Sequence, residues 1–231
     1  MQNCGDAMVV LLAVAGAGVD AMMILGFNVL TAAQTGNTIL LAVAIARGDF
    51  AGGLGSAISV GAFVCGTFCG AFVIGHRAPG SRVSGVAAAL SAELALFVVL
   101  LALWAGFGAL PTGASANLLV ALAAAAMGMQ SAVSLSLHAR STTYITGILA
   151  GFSSGVARRW DLAAGRRETA VPREGENPWV NGLVWLVYAV GAVGTGIVYL
   201  HIGPCAIFLP ILAVFVVLVM EWKGHGRIGL S

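Results

Sequence analysis

Long runs of apolar residues are the feature that most limits how this sequence folds. Six of them, each near the length of about 20 residues that crosses a bilayer as a helix, follow one another along the 231-residue chain. They cover residues 7–27, 54–75, 84–107, 116–137, 179–200 and 205–221. Because only 9% of the residues are charged, the chain lacks the mixed charged surface of a soluble domain. The sequence therefore predicts an all-α integral membrane protein with a single membrane domain, residues 1–231.

Two shorter apolar runs, residues 36–46 and 146–157, lie between the long ones. At 1.5 Å per residue, each reaches only about 17 Å, roughly half of the hydrocarbon core. We expect these runs to form re-entrant half-helices or halves of broken spans, in addition to six transmembrane helices.

The positions of the basic residues favour six crossings, because cytoplasmic loops collect Lys and Arg. With six crossings, ten basic residues share one side and Arg47 alone lies on the other. If the short runs also crossed, the division would be eight against three. We therefore expect a multi-pass protein of the bacterial inner membrane with both termini in the cytoplasm and a cytoplasmic loop at 158–178.

The two short runs carry matching residues at their ends. At a constant offset of 111 positions, Thr35-Gly36 matches Thr146-Gly147 and Ala46-Arg47 matches Ala157-Arg158. Each short run follows one long run and precedes two more, which divides the chain into repeats 7–107 and 116–221. Three crossings per repeat reverse the orientation of the second, so the sequence predicts an inverted 3+3 repeat, a pattern typical of secondary transporters.

Two of the nine acidic residues, Asp20 and Glu93, lie inside long apolar runs. A carboxyl group at that depth is costly and is a functional candidate by default. The alternative is a protonated acid that is hydrogen-bonded to a neighbouring helix. No Lys or Arg lies inside a long run as a partner for either group.

Polar residues gather near the start of both short runs. The free N–H groups at a helix start suit an anion or the carboxylate of a small solute, although the same side chains could simply cap the helix. With the two acidic residues, the candidates for a solute or ion path are Asp20, Thr35, Gly36, Asn37, Thr38 and Glu93 in the first half and Gln130, Thr142, Thr143, Tyr144, Thr146 and Gly147 in the second.

Signatures of enzymes and of nucleic-acid binding are missing from the sequence. A Walker motif is excluded because Lys223 is the only lysine. Cys65 and Cys69 are interpreted as small core residues. We expect no enzymatic activity, no metal, no cofactor and no nucleic acid, with the lipid bilayer as the main partner. Glycine-rich helix faces such as the one starting at Gly147 would also allow contacts between copies of a homo-oligomer.

Several motifs resemble those of the YoaK-type family of bacterial transmembrane proteins. They are Gly18-Val19-Asp20-Ala21, Thr35-Gly36-Asn37-Thr38, Ala46-Arg47-Gly48-Asp49, Gly128-Met129-Gln130-Ser131 and Thr142-Thr143-Tyr144-Ile145-Thr146-Gly147. The resemblance extends over essentially the whole chain and implies a multi-pass membrane protein of unknown function.

The leading hypothesis is a transporter or permease for a small solute, with proton coupling as an option. The solute would lie where the two short helices approach each other. Asp20 would bind a cationic group or a proton, and Glu93 would be a second protonation site. A passive channel and a non-transporting membrane scaffold or accessory subunit are the alternatives.

Overall fold

The computed structural model describes residues 2–76, 84–108, 111–138, 145–163 and 178–228. The helices are α1 (Gln2–Phe27), α2 (Gln34–Arg47), α3 (Phe50–Gly75), α4 (Gly85–Phe107), α5 (Ala114–His138), α6 (Ile145–Ala163), α7 (Pro178–Ile202) and α8 (Phe208–Ile228), with a 3₁₀ turn at Gly203–Ile207. Within these ranges the chain forms no strand. The predicted all-α class is confirmed.

Several helices have the length and apolar character that a membrane span needs. Five stretches qualify, namely Ala7–Phe27, Phe50–Gly75, Gly85–Phe107, Ala114–Leu137 and Pro178–Gly224. The last of these, 47 residues long, contains α7, the 3₁₀ turn and α8 as far as Gly224. The chain is therefore a multi-pass membrane protein.

The two short apolar runs become α2 and α6, and their lengths differ. α2 has 14 residues and ends at Gly48, whose φ of 69° is left-handed and suits glycine. α6 has 19 residues, because the helix continues beyond the apolar run through Arg158, Arg159 and Trp160. The apolar run marked the start of α6 correctly and underestimated its length, since charged residues also form helix at an exposed end.

Burial separates central helices from peripheral ones. In the most apolar window of α1 and of α5, 67% of the residues are buried, against 17% for α3. α3 therefore lies at the perimeter, where apolar side chains face lipid. The interpretation of Cys65 and Cys69 as core residues is wrong, because both lie on the exposed face of this peripheral helix.

Glycine residues allow close packing in two pairs of parallel helices. A Cβ atom at Gly191 of α7 would lie 3.2 Å from the Cα atom of Val14 on α1, and one at Gly26 of α1 would lie 3.0 Å from the Tyr199 hydroxyl oxygen on α7, so the residue numbers rise together. The backbones come close where glycine leaves room for them. α7 therefore runs in the same direction as α1.

The second parallel pair is α3 and α5. A Cβ atom at Gly66 would overlap the carbonyl oxygen of Ala125, and one at Gly70 would lie 3.0 Å from the Cβ atom of Ala132. A Cβ atom at Gly128 would likewise overlap a backbone carbonyl oxygen of α3. Only glycine allows such a close approach of backbones, so this interface depends on these residues.

α4 runs parallel to α1 and antiparallel to α8. The rings of Phe27 and Trp104, near the ends of α1 and α4, lie 4.9 Å apart. Ser84, just before α4, donates a hydrogen bond of 2.9 Å to Glu221 near the end of α8. At the opposite end of α4, Trp104 lines a cavity of about 250 Å³ together with Pro204, which precedes α8.

Candidate functional site

The chain turns back on itself between α1 and α2. α1 ends at Phe27, Asn28 has a left-handed φ of 54°, and α2 begins at Gln34. The intervening loop packs against Asp20, seven residues before the end of α1. At 1.5 Å per residue, α2 therefore starts about 10 Å below the end of α1 rather than beyond it.

Asp20 holds the start of α2. Its Oδ1 accepts hydrogen bonds from the backbone N–H groups of Thr31 at 2.6 Å and Ala32 at 2.7 Å, and from the Thr31 hydroxyl at 3.2 Å. Its Oδ2 accepts from the N–H of Ala33 at 3.0 Å. Consecutive N–H groups of a turn can form an anion-binding arrangement, and here the chain's own carboxylate occupies the one that Thr31, Ala32 and Ala33 form just before α2.

Tyr188 on α7 is a further partner of Asp20. Its hydroxyl donates to Oδ2 over 3.4 Å, a long and therefore weak hydrogen bond. Its ring packs against a small apolar cluster that joins α1, α6 and α7. That cluster consists of Val9, Ala13, Ile148 and Val184. Tyr188 thus connects the start of α2 with the first turns of α6, a role that the sequence did not predict.

Asn37 closes the same loop from the other side. Its side-chain amide donates to the carbonyl oxygen of Leu30 at 2.5 Å, and its Oδ1 accepts from the N–H of Leu30 at 3.1 Å. Asn37 also donates to the Ser59 hydroxyl on α3, which in turn donates to Leu30. Gln34 donates to the carbonyl oxygen of Thr31 at 2.7 Å. These side chains satisfy loop backbone groups that would otherwise lie buried and unpaired.

The remaining described candidates at the helix starts make no hydrogen bond to Asp20 or Glu93. Thr35 and Thr38 are exposed, and the Thr38 hydroxyl donates to the carbonyl oxygen of Gln34 on its own helix. Gly36 is half-buried. The Leu30 side chain lies so close to it that a Cβ atom at Gly36 would overlap Leu30. In the second half Thr146 is exposed and Gly147 is half-buried, whereas Thr142, Thr143 and Tyr144 lie outside the described residues.

Gln130 ties α5 to α1. It is fully buried, and its side-chain amide donates to the carbonyl oxygen of Leu12 at 2.9 Å. Gly16 leaves room for this amide, since a Cβ atom at Gly16 would lie 3.3 Å from it. Gln130 therefore lies where the two most buried helices cross.

Glu93 lies apart from the loop, in the middle of the buried face of α4. It is 0% exposed, and its neighbours along this face are Leu90 and Phe97. Neither of its carboxyl oxygens has a hydrogen-bond partner among the residues that the structure describes. Across those same residues, no group of His, Cys, Asp and Glu side chains could hold a metal ion.

The arrangement therefore has two parts: a carboxylate surrounded by donors at the start of α2, and an isolated carboxyl group in the core. No curated protein and no solved structure matches the chain. A family model does match, over residues 8–220, and its members are described as proteins of unknown function. The YoaK-type resemblance is consistent with this match, and the chain belongs to the DUF1275 family.

Proposed function

We propose that the chain is a small-solute transporter of the bacterial inner membrane, with six crossings, cytoplasmic termini and two inverted halves. The observation that carries this proposal is the start of α2, which lies within the depth of α1 and is held there by Asp20. Short helices that begin inside the membrane typically mark the solute sites of secondary transporters.

The directions of the helices support six crossings. α1 and α4 are parallel, as expected if only α3 crosses between them; a crossing by α2 as well would make them antiparallel. α4 and α8 are antiparallel, as expected if α5 and α7 cross between them and α6 does not. The same two relations disfavour eight crossings.

The pattern of helix packing supports two related halves. If the halves are related, α1 corresponds to α5, α2 to α6, α3 to α7 and α4 to α8. This exchange converts the pair α1–α7 into α5–α3, and both pairs pack in parallel. The exchange also converts α2–α3 into α6–α7 and α4–α5 into α8–α1, which pack as well. The pairs α1–α5 and α4–α8 are converted into themselves. A two-fold relation between the halves predicts each of these pairings.

The contacts of Asp20 favour an anchoring role over direct binding of a cationic solute. Both of its oxygens already accept hydrogen bonds from the loop before α2. The same contacts place the Asp20 carboxylate directly before the start of α2, where its charge would repel a second anion. We therefore propose that an anionic part of the solute binds at the other helix start, near Thr146 and Gly147.

Transport can be tested with purified protein in proteoliposomes. A thermal-shift screen with amino acids, small carboxylates and inorganic anions would select probes, whose uptake is then followed with and without a pH gradient. Accumulation against a gradient supports a transporter, and equilibration alone indicates a channel. No flux of any stabilising probe would contradict the proposal and favour a scaffold.

The orientation can be tested with an existing thiol. Cys205 is exposed in the turn before α8, on the proposed outer side. In a variant that keeps only this cysteine, a membrane-impermeant maleimide should label it in intact cells. A second variant carrying a cysteine only in place of the exposed Lys223 is the matched control and should react only after lysis. The reverse labelling pattern would contradict the topology.

A further inference from the structure

We propose that Glu93 is the site that binds the coupled proton and that Asp20 is not. This inference rests on the transporter function proposed above, and it assigns different roles to the two buried carboxyl groups. The geometry that points to it is the contrast between a group with donors on both oxygens and one with none.

The position of Glu93 isolates it from water in this conformation. It is 0% exposed and lies eight residues after the first residue of α4, or about 12 Å into the helix. The residues beside it on the buried face, Leu90 and Phe97, are apolar. A proton bound there would be occluded from both sides of the membrane.

Among the described side chains, no charge is placed to stabilise an ionised Glu93. α4 packs against α3, α5, α8 and the 3₁₀ turn, and residues 114–137 of α5 include no ionisable side chain. The other ionisable side chains described on these elements are exposed or lie near the start of α4: Cys65, Cys69, His76, Cys205, Glu221 and Lys223. A carboxylate without donors or a counter-charge is strongly disfavoured in an apolar core, so the side chain is a neutral acid here.

Asp20, unlike Glu93, is surrounded by hydrogen-bond donors. Backbone N–H groups donate and cannot accept, so the oxygens that they contact must supply lone pairs. A proton on either oxygen of Asp20 would compete with these donors for the same lone pairs. The loop before α2 therefore favours the carboxylate and leaves Asp20 unsuited to carry a proton through a transport cycle.

A group that carries a coupled proton must hold it while occluded and release it when water enters. Glu93 meets the first condition through burial alone. Because no described group stabilises its ionised form, hydration of its surroundings would be enough to let the proton leave. This dependence on water links proton release to a conformational change of the helices around α4.

Infrared spectroscopy tests the assignment without any knowledge of the solute. At neutral pH, exposed carboxyl groups are ionised, and a protonated carboxyl group gives a carbonyl band separate from carboxylate bands. We expect this band in the wild type, its loss in Glu93→Gln and its persistence in Asp20→Asn. Persistence of the band in Glu93→Gln, or its loss in Asp20→Asn, would overturn the proposal. If Asp20→Asn does not fold, the result for Glu93→Gln decides alone.

The uptake assay supplies the second readout. With a probe that the wild type accumulates, Glu93→Gln should lose about tenfold or more of the accumulation driven by a pH gradient, while exchange of the probe across the membrane continues. Undiminished gradient-driven accumulation in this variant would contradict the assignment. The two proposals fail separately: a wild type that transports nothing refutes the transporter, whereas the infrared band tests Glu93 in either case.

Discussion

Asp20 and Glu93 carry the same functional group at similar burial, 4% and 0% exposed, yet their surroundings are opposite. The first lies against a loop that directs three backbone N–H groups and two hydroxyl groups at it. The second lies on an apolar helix face with no described partner. The difference teaches that a carboxyl group inside a membrane protein can organise the backbone or hold a proton, and that its donors decide which.

The largest effect should follow the removal of the charge that anchors α2. In Asp20→Asn, the new amide has one oxygen and cannot accept from both Ala32 and Ala33, so at least one of these N–H groups loses its acceptor. We expect a loss of about 2–4 kcal/mol in the free energy of unfolding, read as a lower thermal midpoint in detergent. The matched control is Asp49→Asn, which alters the exposed carboxylate that caps α3 through Gly52. Equal losses of stability in the two variants would show that Asp20 contributes no more than an exposed capping carboxylate.

The replacement of Glu93 should have the opposite sign. Glu93→Leu removes a buried polar group that has no described partner and keeps a similar volume, so we expect a gain of about 1–2 kcal/mol in stability. Thermal unfolding of this variant beside Glu93→Gln would separate polarity from shape. A clear destabilisation by Glu93→Leu would mean that Glu93 makes a favourable polar contact. Both carboxyl groups would then stabilise the fold through polar contacts.

Tyr188→Phe should have a smaller effect, because the hydroxyl's bond to Asp20 is long and the ring packing remains. We expect a loss of about 1 kcal/mol. In the Asp20→Asn background the same change should cost less, because the charged acceptor is gone. A double-mutant cycle measures this coupling, and a coupling of zero would show that the hydroxyl does not act through Asp20.

The smallest change in stability is expected at the exposed hydroxyl groups of α2. Thr35→Val and Thr38→Val should alter the free energy of unfolding by less than about 0.5 kcal/mol, since neither side chain supports the loop. If either variant destabilises the protein as much as Asp20→Asn does, the anchoring of α2 extends beyond the carboxylate.

The sequence predicted the functional candidates that stand out chemically from their surroundings. An acidic residue in an apolar run is conspicuous, so Asp20 and Glu93 were identified without a structure. Their environments were not predictable, because the partners of Asp20 are mainly backbone N–H groups, which leave no mark in the sequence. Tyr188 was missed for a related reason, since a tyrosine in an apolar helix is unremarkable until its hydroxyl group has a neighbour.

The fold, like the candidate site, was predictable from the sequence only in part. Apolar length predicted where the helices lie, including the starts of α2 and α6. It did not predict that α6 continues through Arg158 and Arg159, because helix formation does not end where apolar character ends. Nor could it predict the exposure of Cys65 and Cys69, since burial depends on which helix occupies the perimeter.

The anchoring of α2 by Asp20 also bears on the order in which the protein is made. Asp20 and its backbone partners are 11 to 13 residues apart, so they can meet while the rest of the chain is still on the ribosome. Tyr188 follows 168 residues later, roughly 10 to 30 s at ordinary rates of synthesis. During that interval α1, although one of the two most buried helices of the finished protein, must reside in the membrane without α7 and α8. The local contact gives its charge a partner throughout this exposed stage of assembly.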